Sequence, residues 1–130
     1  MKDLKILITE DLLNQFAEFS GDKNLLHLNE SFAERTPFKK RIAHGTIILA
    51  KISQLLTETF GGGNILLTEE IKFLKPAYIN DLITLNIANI KKDKREVNEV
   101  LILATNQKKE IILECKATCK KIYIKNDKNQ

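Results

Sequence analysis

The feature that most constrains the fold is a long apolar segment from His44 to Phe60. A helix on a protein surface carries one apolar stripe, whereas a helix that is apolar on most sides must be buried. Three glycines, Gly61 to Gly63, end the segment abruptly. The sequence therefore predicts a central helix over 44–60 that is buried around most of its circumference. Its apolar residues are Ile47, Ile48, Leu49, Ala50, Ile52, Leu55 and Leu56.

After the glycines the chain has the two-residue periodicity of β-strands. Polar clusters at 93–95 and 106–108 separate the segments and are typical of hairpin turns. One buried helix followed by antiparallel strands indicates an α+β fold in which a sheet wraps around the helix. The predicted strands are one through Ile71 and Phe73, then 81–90 with Ile83, Leu85 and Ile87 facing the core, then 97–105, and finally 111–124 with Ile111, Leu113, Cys115, Ala117 and Cys119 facing the core.

The residues before the central helix form shorter elements. Alternating apolar residues predict a strand over 4–8, and Thr9 is a suitable N-cap for a helix that Gly21 ends. The following pattern is irregular, with a short helix predicted near 30–35 and capped by Asn29. The first helix is predicted to bury the stripe Leu12, Leu13, Phe16 and Phe19.

Length and composition indicate one globular domain. The chain has 130 residues, of which 43% are hydrophobic and 29% charged. We expect a domain over 1–125 and a loose tail over 126–130. No segment is apolar over the roughly 18 residues that span a bilayer, and no signal peptide is visible, so we expect a cytoplasmic protein without a membrane partner. The net charge of +4 comes from scattered lysines without any nucleic-acid-binding motif, which favours a solvated surface over a nucleic-acid partner.

Cys115 and Cys119 are predicted to be buried free thiols. On a strand they share a face about 13 Å apart, at roughly 3.3 Å per residue, which is too far for a disulfide. No nearby His or Cys completes a zinc site.

Residues 19–27 and 42–45 contain side chains that ordinary packing does not require. A carboxylate and an imidazole, such as those of Asp22 and His27, can hold one water between them and move its proton. The flanking leucines are expected to desolvate both groups. Asp22 could equally cap a turn, and His27 could be a partly buried, hydrogen-bonded histidine.

Gly45 lies at the start of the predicted central helix, where backbone N–H groups lack partners and the helix dipole is positive. A glycine allows a ligand to reach the backbone, so the position suits an oxyanion site for a thioester carbonyl. Gly45 could instead permit close packing of the helix on the sheet. His44 could begin the helix or belong to the site.

The residues of both segments follow an ordered pattern. Ser20-Gly21-Asp22, Asn24 and His27 precede Phe32-Ala33, then Ile42 with His44-Gly45, and later Phe73-x-x-Pro76 and Asn80-Asp81. This pattern resembles the MaoC-like (R)-specific enoyl-CoA hydratases, whose motif runs S-G-D-x-N-P-x-H, F-A and I-x-H-G, followed by F-x-x-P and G-D.

The resemblance implies a hot-dog fold and a homodimer with active sites at or near the subunit interface. It implies reversible addition of water to a 2-enoyl thioester, giving an (R)-3-hydroxyacyl thioester of coenzyme A or acyl carrier protein, without a metal or another cofactor. The basic surface would suit either anionic carrier. The implied site consists of Asp22 and His27 activating the water, the Gly45 N–H binding the thioester oxygen, and Asn24, Ser53 and His44 as substrate-binding or loop-arranging residues.

The chain departs from the family pattern at three positions. Leu25 replaces the usual proline, Asn29 replaces an acidic residue, and Asn80 replaces a glycine. Asn29 can still cap a helix, and Asn80 tolerates a positive φ.

Two other functions fit the same fold. A hot-dog thioesterase uses an acid on or near the central helix, where Glu58 stands near the far end. A non-catalytic acyl-thioester-binding subunit would explain the loss of the proline at Leu25. A hydratase or dehydratase accounts for Asp22, His27 and Gly45 together.

Overall fold

The structure is a computed structural model that describes residues 3–124, so the tail predicted over 126–130 lies outside the described residues. Within 3–124, no helix is long and apolar enough to cross a membrane. The elements in chain order are β1 (Leu4–Leu7), α1 (Glu10–Ser20), α2 (Leu25–Leu28), α3 (Glu30–Glu34), α4 (Gly45–Phe60), β2 (Asn64–Phe73), β3 (Leu82–Lys92), β4 (Asn98–Thr105) and β5 (Ile111–Lys121).

The described strands form one antiparallel sheet in the order β1-β3-β4-β5-β2. Two successive hairpins build its centre, and β1 and β2 lie at its edges. The register shifts between Ala104 and Thr105 where β4 pairs with β5. Because an extra residue in a strand reverses the side-chain alternation, Ile112 points inward and Ile111 is 42% exposed. The prediction that Ile111 faces the core was therefore wrong.

The concave face of the sheet packs against one side of α4, as expected for a sheet wrapped around a helix. Each buried Ile or Leu contributes about 1.5–3 kcal/mol of hydrophobic stabilisation. The opposite side of α4 is exposed in the single chain. For the single chain, the prediction that α4 is buried around most of its circumference was therefore wrong. The buried residues of α4 are Ile47, Ile48, Ile52, Leu55 and Leu56, and the exposed ones include Thr46, Ala50, Ser53, Gln54 and Thr57.

Several predicted caps are confirmed. Thr9 Oγ1 accepts the Leu12 N–H at 3.1 Å, and Gly21 ends α1 with a φ of 76°. Asn29 caps α3 by accepting the Phe32 N–H at 2.8 Å. Asn80 has a φ of 78°, as expected for a residue that replaces glycine in a turn. These outcomes follow from local hydrogen bonds and backbone conformation alone.

The predicted apolar stripe of α1 is only partly correct. Leu13 and Ala17 are its buried residues, whereas Phe19 is 88% exposed. Phe19 lies in the last turn of α1. The cysteine prediction is confirmed, because Cys115 and Cys119 are free and buried. Burial raises the pKa of Cys115 to about 12, which makes this thiol a poor nucleophile.

Candidate active site

The loop that carries Asp22 is shaped by successive side-chain-to-backbone hydrogen bonds. Ser20 Oγ accepts from Asp22 N at 3.0 Å, and Asp22 Oδ1 accepts from Asn24 N at 3.2 Å. Asn24 Oδ1 then accepts from Leu26 N at 3.0 Å and caps α2, a helix that the sequence pattern did not reveal. Asn24 therefore arranges the loop, while Asp22 caps a turn with one carboxylate oxygen.

Asp22 is exposed in the single chain, although the neighbouring leucines were expected to desolvate it. Leu25 is 50% exposed because it begins α2 on the solvent side of the loop.

His27 has a defined orientation and tautomer. It lies on α2, and its Nδ1 is 2.8 Å from the backbone oxygen of Ile42. A carbonyl oxygen only accepts hydrogen bonds, so Nδ1 carries the proton. The Nε2 of the neutral ring therefore has a lone pair and can accept a proton, as a general base requires.

His44 is buried directly against His27. The two rings stack with centroids 4.0 Å apart, and the Phe16 ring meets His44 edge-on at 5.0 Å. His44 Nε2 donates to the backbone oxygen of Asp22 at 3.0 Å, which joins the Asp22 loop to the start of α4. His44 is 1% exposed and does not line the pocket beside His27. This placement favours a positioning role over the predicted substrate-binding role.

The three side chains are close enough to share a small ligand. Asp22, His27 and His44 each place a possible ligand atom within 4.8 Å of the others. A water hydrogen-bonded at about 2.8 Å to each of two groups can bridge roughly this distance. One nitrogen of each ring already faces a backbone carbonyl, so only the other nitrogen of each ring is open to a ligand. The arrangement suits proton transfer through a bound water.

An apolar pocket of about 340 Å³ opens beside His27 and the start of α4. Gly45 lines this pocket, and its backbone N–H has no acceptor among the described hydrogen bonds of residues 3–124. It can therefore donate to a bound carbonyl oxygen. Ser53 is exposed on the other side of α4 and does not line the pocket of its own chain. The pocket is lined by His27, Phe38, Ile42, Ala43, Gly45, Ile48, Phe73, Leu74, Lys75, Pro76, Ala77, Ile112 and Leu113.

Arg41 supports the site and was missed in the sequence. Its side chain is 6% exposed, and it donates to the backbone oxygen of Leu28 at 3.3 Å and to Glu10 at 2.9 Å. Glu30 lies 3.7 Å away. Arg41 thus links the end of α2 to α1. Because a buried arginine and an exposed one look alike in a sequence, no sequence signal pointed to this role.

Burial lowers the pKa of His44, against the opposing effect of its bond to the Asp22 carbonyl. Unfolding returns this pKa to about 6.5, so the unfolded chain binds more protons in acid. The stability that His44 contributes is therefore complete above about pH 6.5 and is lost as the pH falls.

We expect His44→Gln, which keeps a donor for the Asp22 carbonyl but does not titrate, to lose less stability on acidification than the native protein. Urea unfolding at about pH 7.5 and about pH 5.5 measures this difference. Equal losses of unfolding free energy in both proteins would show that His44 does not cause this pH dependence.

The curled five-stranded sheet around α4 defines a hot-dog protein, with the Asp22–His27 loop placed at the start of the central helix. The structure is similar to the (R)-hydratase from A. caviae, with a TM-score of 0.82, 26% identity and coverage of 93% of each chain. The predicted hot-dog fold is thereby confirmed.

The MaoC like domain family matches residues 2–110, and the chain belongs to this family. It is 37% identical over 95 residues to a 3-hydroxybutyryl-CoA dehydratase of Methylorubrum extorquens, covering 66% of this chain and 60% of that protein. It is 40% identical over 81 residues to an (R)-specific enoyl-CoA hydratase of Rhodospirillum rubrum, covering 62% of this chain and 56% of that protein. The matched segment thus spans less than two thirds of either relative's length.

Proposed function

We propose that this protein is a hydratase or dehydratase that interconverts 2-enoyl and (R)-3-hydroxyacyl thioesters. The observation that carries the proposal is that Asp22 and His27 place possible ligand atoms within 4.8 Å of each other, beside an apolar pocket that Gly45 lines at the start of α4. The names of its relatives, a 3-hydroxybutyryl-CoA dehydratase and an (R)-specific enoyl-CoA hydratase, support this reaction class.

In the hydration direction, the water is held between the Asp22 carboxylate and His27 Nε2, and one of them takes a proton from it. The water oxygen forms a bond to C3 of the enoyl group while the C2–C3 π electrons move toward the thioester carbonyl. The Gly45 N–H stabilises the negative charge that develops on the carbonyl oxygen. The Asp22–His27 pair, which took a proton from the water, then delivers a proton to C2 and completes the 3-hydroxyacyl thioester. Dehydration follows the same steps in reverse.

These steps transfer protons and no net electrons, so the proposed reaction needs no redox cofactor. We also propose that it needs no metal, because Asp22 and His27 activate the water and the Gly45 N–H polarises the carbonyl. The thioester carrier is coenzyme A or an acyl carrier protein, because both present phosphopantetheine. The buried free thiols Cys115 and Cys119 favour a reducing compartment, and we propose the cytoplasm.

The test of the proposed reaction is the loss of ultraviolet absorbance of the conjugated enoyl thioester when crotonyl-CoA is added to the purified protein. In the reverse direction, dehydration of (R)-3-hydroxybutyryl-CoA should produce the same enoyl absorbance. Release of free thiol without hydration would instead indicate a thioesterase; Glu58, the acid considered for that reaction, is exposed and does not line the pocket. The binding-subunit alternative would be favoured if the protein binds acyl-CoA but turns over neither crotonyl-CoA, nor longer acyl chains, nor carrier-linked substrates.

We also propose that the active form is a homodimer built on β2. This strand is a sheet edge, and its Ile65, Leu66 and Leu67 are 44%, 37% and 48% exposed. An unpaired apolar edge strand is a template for pairing with another strand. The neighbouring exposed side of α4 carries Ser53, which would then lie at the subunit interface rather than in the pocket of its own chain.

We expect the native protein to sediment at twice the mass of one chain. The double variant Leu66→Lys/Leu67→Lys should sediment as a monomer, because two charges would have to be buried in the interface. Phe19→Lys places a charge on an equally apolar exposed side chain of α1 and should leave the dimer intact. A monomeric native protein, or a dimeric double variant, would contradict this interface.

A further inference from the structure

The Phe73 ring occupies the space that a side chain at position 45 would fill. A Cβ placed on Gly45 would lie 2.9 Å from Phe73 Cζ and 3.1 Å from Cδ1, and the atoms nearest to it all belong to this ring. Such distances are shorter than van der Waals contact. A side chain at position 45 would therefore require the Phe73 ring to move, and this contact corresponds to the close-packing alternative raised by the sequence. Gly45 itself still lines the pocket.

In the single chain Phe73 is also a boundary between the pocket and solvent. It is the last residue of β2, lines the pocket and is 61% exposed. The backbone just beyond it is held, because the N–H groups of Leu74 and Lys75 both donate to the Ile112 oxygen at 2.9 and 3.1 Å. The ring thus projects from a fixed backbone position over the start of α4.

We propose that Phe73 determines which acyl groups are accepted by restricting substitution at C2, the carbon next to the thioester carbonyl. This inference rests on the proposed function, in which the carbonyl oxygen accepts from the Gly45 N–H. C1 then lies beside Gly45, and C2 is one bond further. A branch at C2 on the Phe73 side meets the ring, whereas an unbranched chain extends past it toward Ile48, one helical turn along α4.

The chemistry of the pocket supports this division of roles. Ile48, Ile112 and Leu113 provide an apolar wall of the pocket, along which we expect chain length to be accommodated. Phe73 is the pocket aromatic that packs directly on Gly45, so its volume acts on the reacting end of the acyl group. The occupant favoured by this geometry is a straight-chain 2-enoyl thioester without a C2 substituent.

The experiment compares binding and turnover in the native protein, Phe73→Ala and Phe38→Ala. Phe38 lines the same pocket and loses the same side chain, but its ring is not among the atoms nearest to the Gly45 Cβ position. Calorimetric titration uses two saturated, unreactive thioesters, butanoyl-CoA and 2-methylbutanoyl-CoA. Turnover is measured with crotonyl-CoA and its 2-methyl derivative.

The native protein should prefer the unbranched thioester by about tenfold or more, the effect of one methyl group in a tight pocket. Phe73→Ala should remove most of this preference in both Kd and kcat/KM, while Phe38→Ala should change it by less than about threefold. Phe19→Ala, an exposed phenylalanine outside the pocket, should match the native protein.

The inference is overturned if the native protein shows no preference, if Phe73→Ala keeps it, or if Phe38→Ala abolishes it equally. The native protein could bind the unbranched thioester preferentially and Phe73→Ala could lose this preference, while no protein turns over either substrate. That result would support the inference and contradict the proposed reaction. Turnover by the native protein, with the same preference for the unbranched thioester in Phe73→Ala, would support the proposed reaction and contradict the inference. Absence of binding to either thioester would contradict both.

Discussion

Asp22→Asn is expected to lower kcat for hydration of crotonyl-CoA by about 10²–10⁴-fold, the usual contribution of a general acid–base group. The substitution keeps an oxygen that can accept the Asn24 N–H, now 3.2 Å from Asp22 Oδ1, so the turn should persist. The bond from His44 goes to the Asp22 backbone and is unaffected. What is lost is the negative charge and the ability to take or give a proton.

Steady-state kinetics with the conjugated enoyl thioester measures this effect, and circular dichroism checks the fold. Ser20→Ala is a suitable companion, because it removes a neighbouring loop hydrogen bond without removing a proton-transfer group. It should cost far less activity than Asp22→Asn. If Asp22→Asn retained activity within a few-fold of the native rate, Asp22 would be a turn-capping residue only.

His27→Asn should cause a loss of similar size, again about 10²–10⁴-fold in kcat. An asparagine amide can replace Nδ1 as the donor to the Ile42 oxygen, 2.8 Å away in the native site, but provides no counterpart to the Nε2 lone pair. The variant therefore separates the chemistry of His27 from its structural bond. Normal stability with strongly reduced kcat is the expected combination.

His44→Gln is the matched comparison, since it removes the other imidazole of the stack but keeps a donor for the Asp22 carbonyl. We expect its kcat to fall by less than about tenfold, because in the proposed mechanism Asp22 and His27 hold the water and His44 only positions them. A larger loss in His44→Gln than in His27→Asn would reverse the two roles.

The double variant Asp22→Asn/His27→Asn should lose less activity than the product of the two single losses. Residues that hold and activate one water act as a unit. Once the first substitution has abolished the activation of the water, the second therefore lowers kcat only a little further. A multiplicative loss would indicate that the two side chains act independently.

Much of the fold was predictable because local interactions decide it. Thr9 and Asn29 cap helices with their own side chains, Gly21 and Asn80 adopt positive φ, and polar turns separate the last three strands. The apolar alternation of β3 depends only on which residues follow one another. The loop motif around Asp22 likewise forms through contacts between residues two apart.

The remaining features depend on contacts between distant parts of the chain. The bulge that turns Ile111 outward arises in the pairing of β4 with β5, and the exposure of Phe19 depends on which segments pack against α1. The stack of His27 on His44 requires α2 to meet the start of α4. The periodicity of the sequence does not predict these features, because each depends on contacts with residues that are far away in the sequence.

The sequence by itself determined the elements, their caps and the identity of the groups able to move protons. The tertiary structure alone decided that His27 presents Nε2 rather than Nδ1, since the Ile42 carbonyl occupies the other nitrogen. It also decided that Phe73 fills the space above Gly45 and that Ser53 faces away from its own pocket. Residue type sets what a group can do, whereas the packing of distant segments sets which atom is free to do it.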